Sequence, residues 1–210
     1  MRLLARAYVG DLHPRWEHLA AAGRTADRLR ARSTALVPPH VAQAVWVHDI
    51  GYVERLAATG FHPLDGARFL RRIGFPDEVT ALVAWHTHAQ HEARLRGLLA
   101  ELADFPYPDQ DALDLVTMID LATSPQGLPV RDVDRLREIV GRHGDASVVS
   151  ASVIEAHDDL LAASARAKRR LGLSLSWPTG SDGAAIAGQQ GDDAPGLVPC
   201  IGYPTTAARR

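Results

Sequence analysis

The residues of this chain that could do chemistry are histidines and aspartates at helical spacing. All ten histidines lie between His13 and His157. In four apolar segments a histidine or an aspartate continues the spacing of the hydrophobic residues, which directs its side chain toward the interior. These inward residues are His18, His48, Asp49, His86 and Asp120. A single buried histidine is more often a hydrogen-bonded core residue than a ligand. Five such groups together predict a metal centre, since a buried ionisable group is costly unless it is paired or metal-bound.

The adjacent pair His48 and Asp49 has a geometric requirement of its own. Neighbouring residues in a helix point about 100° apart, so both cannot normally reach one ion from mid-helix. At a helix end the backbone can turn and bring the two side chains together. Gly51 follows the pair and is typical of a helix stop. Nitrogen and carboxylate ligands without thiolate suit Fe, Mn, Co, Ni or Zn.

The segments that must position these residues are predicted to be helices. Apolar residues recur with a period near 3.6 along most of the chain, and prolines and glycines mark helix ends. The predicted helices cover about residues 14–31, 39–48, 63–74, 76–88, 92–103, 109–123, 132–142 and 147–171. Only Val148-Val149 suggests a strand, and it falls at a helix start. The fold class predicted from the sequence is therefore all-α.

Composition divides the chain into a predicted helical domain, residues 1–173, and a predicted flexible tail, residues 174–210. The tail holds six of the 17 glycines and four of the 13 prolines, with few large apolar side chains. Such a segment cannot bury enough surface to offset its ordering entropy. Trp177 and the stretch 197–201 are its candidates for docking on the domain.

Charge and composition exclude several classes of protein. The formal net charge is −2, whereas a dedicated nucleic-acid binder needs a basic surface. The single cysteine, Cys200, excludes an internal disulfide framework and a cysteine-rich zinc site. No targeting segment and no long uncharged apolar run is apparent, so we expect a cytoplasmic protein without a membrane partner.

Several short motifs, in order along the chain, resemble those of the HD superfamily of metal-dependent phosphohydrolases. The order His18, His48-Asp49, Asp120 is similar to the ligand order of that superfamily, and VWVHDIGY at 45–52 resembles its H-D-I-G segment. HPLDGA at 62–67 and WHTH at 85–88 resemble motifs of a subset that binds two metals. TMIDL at 117–121 resembles the closing aspartate helix. The pattern is similar to that of HD-GYP phosphodiesterases and bacterial HD hydrolases of dinucleoside tetraphosphates, and it spans about residues 14–143.

The resemblance implies an HD-domain helical bundle and a role for each matching residue. His18, His48, Asp49 and Asp120 are the implied ligands of a first metal, and Asp49 is implied to bridge to a second metal held by His62 and His86. One or two divalent ions are expected, with Mn, Fe, Co or Ni favoured over Mg. Asp49 and Asp120 also have implied catalytic roles, in which one of them orients a metal-activated water or accepts its proton.

Two positions are left open by the resemblance. Many HD hydrolases have a lysine at the fourth position after the His-Asp pair, where this chain has Tyr52, so the proton donor is unassigned. The further glycine-tyrosine-proline element of HD-GYP proteins is absent, which argues against cyclic dinucleotide hydrolysis. His88 faces away if its helix continues past His86 and inward if the helix ends at Trp85 or His86.

The implied function is hydrolysis of a small nucleotide or another phosphate ester, with no nucleic-acid polymer as partner. Candidate phosphate ligands are the arginines Arg24, Arg68, Arg71 and Arg131, since guanidinium groups match phosphate oxygens, although solvation of a helix face is the commoner role of such residues. Two alternatives stay open. One is an HD-type diiron oxygenase built on the same ligands, with which Tyr52 is compatible. The other is a non-catalytic HD module in signalling.

Overall fold

The structure is a computed structural model that describes residues 1–179. Eleven α-helices form this part of the chain, and it contains no β-strand. The helices are α1 Arg2–Val9, α2 Arg15–Arg32, α3 Pro39–Val47, α4 His62–Arg72, α5 Asp77–Trp85, α6 Ala89–Arg96, α7 Leu99–Leu102, α8 Gln110–Leu121, α9 Asp132–His143, α10 Val148–Glu155 and α11 His157–Arg170. The prediction of an all-α fold is confirmed for the described residues.

Three helices, α3, α5 and α8, form the centre of the bundle. Each is apolar on almost every side, which is typical of a helix surrounded by other helices. Helix α3 packs against α2, α5 and α8, while α8 also packs against α11. Their buried side chains include Val41, Val45, Val79, Leu82, Val83, Leu113 and Val116. These are the residues whose spacing predicted where the histidines and aspartates point.

Two predicted helices are each divided into two in the structure. The segment 92–103 breaks at Gly97, whose φ of +73° is left-handed and ends α6. The segment 147–171 breaks at Ala156, where α10 ends and α11 begins. Helix α1 was not among the predicted helices. Val148-Val149 begins helix α10 and is not a strand.

The C-terminal end of the described chain is held against the bundle at two points. Trp177 is 1% exposed and belongs to the main core, as expected for a docking residue. Lys168, also buried, donates to Asp132 at 2.6 Å and to the carbonyl of Leu175 at 3.3 Å. The second predicted docking stretch, 197–201, lies outside the described residues. Within residues 1–179, no helix combines the length and apolar character that a bilayer crossing requires.

Candidate metal centre

All six predicted ligands meet on one side of the bundle, because the central helices end there. His48 directly follows α3, His86 directly follows α5, and Asp120 is the penultimate residue of α8. His62 is the first residue of α4, and His18 lies in the first turns of α2. Asp49 follows His48. The six residues come from five segments that are separated in the sequence, so the cluster is a product of the tertiary fold.

The first group comprises His18, His48 and Asp120. His18 Nε2 lies 3.3 Å from His48 Nε2 and 3.2 Å from Asp120 Oδ1. His48 Nε2 lies 3.9 Å from the same carboxylate oxygen. Ligand atoms about 2.0–2.2 Å from one metal ion are about 3 Å or slightly more apart. The spacing of these three side chains therefore fits a shared ion.

The second group comprises His62, His86 and Asp49. His62 Nε2 is 3.2 Å from His86 Nε2 and 3.5 Å from Asp49 Oδ1. Asp49 Oδ1 is also 3.6 Å from His48 Nε2, so this oxygen lies between the two groups. The two sets His18, His48, Asp49 and Asp49, His62, His86 each place their ligand atoms within 4.8 Å of one another.

Backbone carbonyls hold the imidazoles in the orientation that metal binding needs. His48 Nδ1 lies 2.8 Å from the Val45 carbonyl, and His86 Nδ1 lies 2.6 Å from the Val83 carbonyl. A carbonyl only accepts, so Nδ1 carries the proton and Nε2 presents its lone pair to the centre of the cluster. This arrangement is the usual outer-shell support of a metal-binding histidine, and the residues therefore fit a divalent ion.

Asp49 is held in place by a cation outside the cluster. Arg15 Nη1 donates to Asp49 Oδ2 at 2.9 Å, which leaves Oδ1 facing the histidines. Burial alone raises the pKa of Asp49, but the charges of Arg15 and the neighbouring histidines outweigh it and hold that pKa well below its ordinary value. The carboxylate is therefore ionised and ready to bind a cation.

Tyr52, four residues after His48, forms the middle of a three-layer stack. The Arg15 guanidinium lies 3.6 Å from the centre of the Tyr52 ring, and the same ring stacks on His62 with centroids 4.0 Å apart. Tyr52 thereby fixes the orientation of the ligand His62 and of the arginine that holds Asp49. Its role here is to position these groups by packing.

A backbone reversal follows His86 and brings in a residue that the sequence did not indicate. Thr87 and His88 both have left-handed conformations, with φ of 50° and 56°. This conformation is rare for a β-branched residue and signals local strain. Thr87 donates its hydroxyl to Asp120 Oδ2 in a short hydrogen bond. Asp120 is thus fixed by Thr87 on one oxygen and directed toward His18 by the other.

Replacing Thr87 by valine is expected to weaken metal binding by about 10- to 100-fold, since the hydrogen bond that orients Asp120 is lost. Thr87→Ser keeps the hydroxyl and should restore most of the affinity. Equilibrium dialysis with Mn²⁺ or Co²⁺ measures both. Equal losses in the two variants would contradict the role of the hydroxyl.

The histidines of the second group also give the metal-free protein a pH-dependent stability. Burial lowers the pKa of His62 well below its ordinary value of 6.5, and it lowers the pKa of His86 in the same direction. Below about pH 6.5 these two histidines bind protons in the unfolded chain but not in the folded chain, which lowers the free energy of unfolding. The carboxylates Asp49 and Asp120, whose pKa values are also lowered, act only at more acidic pH.

We therefore expect the free energy of unfolding of the metal-free protein to fall as the pH is lowered below about 6.5, because the unfolded chain binds protons at His62 and His86 that the folded chain does not. Urea unfolding at several pH values measures it. The double variant His62→Asn, His86→Asn should show a smaller slope. A slope identical to that of the parent would argue against these two histidines as its source.

The pocket that opens onto the cluster is lined by arginines other than the predicted ones. Arg15, Arg135, Arg142 and His143 lie in its wall. The four predicted phosphate ligands are not among the residues that line this pocket. Arg68 pairs with Glu101, and Arg71 lies over the Phe105 ring. Arg131 pairs with Asp134 on the surface, and Arg24 is likewise outside the described lining. The interpretation of those four residues as phosphate ligands is not supported by their position.

Arg135 has a donor with no partner in the described part of the chain. Its side chain is 5% exposed, and one Nη group pairs with Glu138, but its buried Nε has no hydrogen-bond partner. A buried, unsatisfied guanidinium nitrogen costs free energy. Arg135 also lines the pocket, so its guanidinium group lies beside the space that a bound group would occupy.

Comparisons with models of known protein families, with curated proteins and with solved structures find no match to this chain.

Proposed function

We propose that this protein is a metal-dependent phosphohydrolase of the HD superfamily, acting on a small nucleotide or another small phosphate ester. The observation that supports it best is the position of Asp49 Oδ1, which lies 3.6 Å from His48 Nε2 in one group and 3.5 Å from His62 Nε2 in the other. A carboxylate placed between two sets of histidines is suited to bridge two divalent ions. Such ions, when bound, lower the pKa of a coordinated water and stabilise charge on phosphoryl oxygens.

The protein side chains have three separate tasks in this proposal. Burial raises the pKa of Asp120, but the hydrogen bond with His18 and the charges of His48, His18 and Arg135 together outweigh it, so that pKa is lowered and Asp120 stays ionised. It orients a water proton by accepting it in a hydrogen bond. His18, His48, His62 and His86 would hold the ions, since their Nε2 atoms face one another in pairs. Arg15 and Tyr52 keep Asp49 and His62 in their orientation.

The arginines of the pocket give the reason to expect an anionic substrate. Arg135 and Arg142 are seven residues apart on α9, and both line the pocket beside His143. Guanidinium groups form charge-assisted hydrogen bonds with phosphate oxygens, and one buried donor of Arg135 is unpaired. A small substrate fits this arrangement better than a polymer, since the chain as a whole is slightly acidic.

The test is phosphate release by protein purified without chelator and supplied in turn with Mn²⁺, Fe²⁺, Co²⁺, Ni²⁺ or Mg²⁺. Mononucleotides, dinucleoside polyphosphates, and aryl phosphate mono- and diesters form the substrate panel. We expect metal-dependent release from at least one ester, with Mg²⁺ the weakest activator. No release with any metal would overturn the proposal, and substrate-dependent oxygen uptake by the iron form would favour the diiron oxygenase instead.

Replacing Arg135 by glutamine is expected to raise KM for the hydrolysed ester about tenfold while the metal content stays unchanged, since one charge-assisted hydrogen bond is lost. Arg137→Gln on the same helix is the matched control, because Arg137 is exposed and pairs with Asp134. Steady-state kinetics measures both variants. An unchanged KM in Arg135→Gln would remove this residue from substrate binding.

A further inference from the structure

A second group of ligand-type side chains lies outside the six residues described so far. His88 closes the 3₁₀ turn after α5, His91 lies on α6, and Asp159 lies on α11. One ligand atom from each lies within 4.8 Å of the other two. None of the three belongs to the predicted ligand set. Helix α5 ends at Trp85, and the left-handed residues Thr87 and His88 follow it.

His88 is buried with one nitrogen unused. Its exposure is 8%, and its Nε2 has no hydrogen-bond partner in the described structure. Its Nδ1 lies 3.3 Å from the side-chain nitrogen of Gln90, whose amide oxygen is also buried without a partner. Oxygen and nitrogen of an amide are interchangeable by rotation. Turning the Gln90 amide lets its oxygen accept from His88 Nδ1–H, which leaves the Nε2 lone pair free.

His91 has the same arrangement, with a carboxylate as the outer partner. Its Nδ1 lies 3.2 Å from Glu155 Oε1, and Arg94 pairs with the other oxygen of that carboxylate. A carboxylate that accepts from one imidazole nitrogen fixes the tautomer that presents the other nitrogen to a metal. That nitrogen, Nε2, lies 4.0 Å from Asp159 Oδ2.

We propose that His88, His91 and Asp159 form a second, separate binding site for a borderline divalent ion of the Zn²⁺ type. Two imidazoles and one carboxylate suit Zn²⁺, Co²⁺ or Ni²⁺ and disfavour Mg²⁺ and Ca²⁺. Three protein ligands leave a fourth position of a tetrahedral site for water. Because tetrahedral ligands are about 3.3 Å apart, the Asp159 side chain, which is largely exposed, must move inward slightly when the ion binds.

The position of this site gives it a structural consequence. An ion there joins α6 to α11 through His91 and Asp159, and it holds His88 in the wall of the pocket that leads to the first cluster. The wall residues Ala156 and Leu160 lie on the same side, at the junction of α10 and α11. Binding at the second site is therefore expected to fix the helices that border the entrance.

The test is the number of Zn²⁺ ions bound per chain, measured by titration of the metal-free full-length protein in parent, His91→Gln and Asp159→Asn forms. Each variant should bind one equivalent fewer than the parent, and Zn²⁺ should raise its Tm less. His157→Gln and Asp158→Asn are matched controls, because both residues are exposed neighbours that pair with each other; these should bind as the parent does.

The outcome is independent of the proposed hydrolase centre, because the measured quantity is the difference between parent and variant. That difference is one equivalent whether the first cluster binds two ions, one or none. Full occupancy in His91→Gln or in Asp159→Asn would overturn the second site. Loss of the same equivalent in the control variants would also overturn it, since it would identify nonspecific binding to the surface of α11.

Discussion

On the proposed function, replacing Asp49 by asparagine is expected to reduce phosphate release ~10²-fold or more and to lower the bound metal by at least one ion per chain. The physical reason is that Asp49 Oδ1 is the one ligand atom placed 3.6 Å from His48 Nε2 and 3.5 Å from His62 Nε2 among the described residues. A neutral amide is a much weaker ligand than a carboxylate, and stabilisation of transition-state charge by the site is correspondingly lost. Elemental analysis and steady-state kinetics measure the two effects.

The matched control for this variant is Asp104→Asn, which makes the same chemical change at an exposed position after α7. It should retain both metal and activity. Full metal content in Asp49→Asn would contradict the bridging position of this carboxylate. If the Asp49→Asn protein lost metal but kept the phosphate release of the parent, that hydrolysis would have to occur outside this cluster.

Replacing Gly51 by alanine is expected to destabilise the protein by about 2–3 kcal/mol and to displace His62 from the cluster. A Cβ at Gly51 would lie 2.0 Å from the His62 carbonyl oxygen and 2.7 Å from the Gly66 nitrogen. Both atoms belong to the backbone of α4, so the helix must move as a unit. Urea unfolding measures the loss of stability. Metal analysis should show a loss of metal, since Asp49, His62 and His86 are the group that could hold an ion beside α4.

Gly141→Ala provides the control for that substitution. Gly141 lies inside α9, and a Cβ there meets no atom within 4 Å. Alanine is the better helix former, so this variant should be more stable by about 0.5–1 kcal/mol. A Gly51→Ala protein with parental stability and metal content would show that α4 tolerates displacement, and it would contradict the close approach as the reason for this glycine.

The contact between Gly51 and the backbone of α4 shows which part of the fold could be predicted from the sequence and which could not. Gly66 lies in the HPLDGA segment that the sequence singled out, and a Cβ there would lie 3.1 Å from the Gly51 nitrogen. Gly51 was expected to stop a helix, but α3 already ends at Val47 and the glycine instead accommodates α4. Local patterns predicted the elements well, while the reason for this particular glycine required knowing which helix packs on it.

The candidate cluster could be predicted because the helical spacing of apolar residues indicates which face of a helix is buried. Val45 and Val83, which each lie three residues before a histidine, share a buried face with it and also provide the carbonyl that binds its Nδ1. Thr87 was not foreseeable, since its contact with Asp120 depends on a left-handed backbone that no residue type there requires. For the arginines that line the pocket, the sequence offered one weak indication. Arg135 and Arg142 are seven residues apart, which places them on one face of a helix.

Lys168 has a practical consequence of another kind. It is the only lysine in the sequence, and its amine is enclosed between Asp132 and the Leu175 carbonyl. A reagent that acylates lysine amines therefore reaches no lysine while α9 and α11 stay together. The rate of acylation at this one residue, followed by mass spectrometry, therefore measures how often these two helices separate.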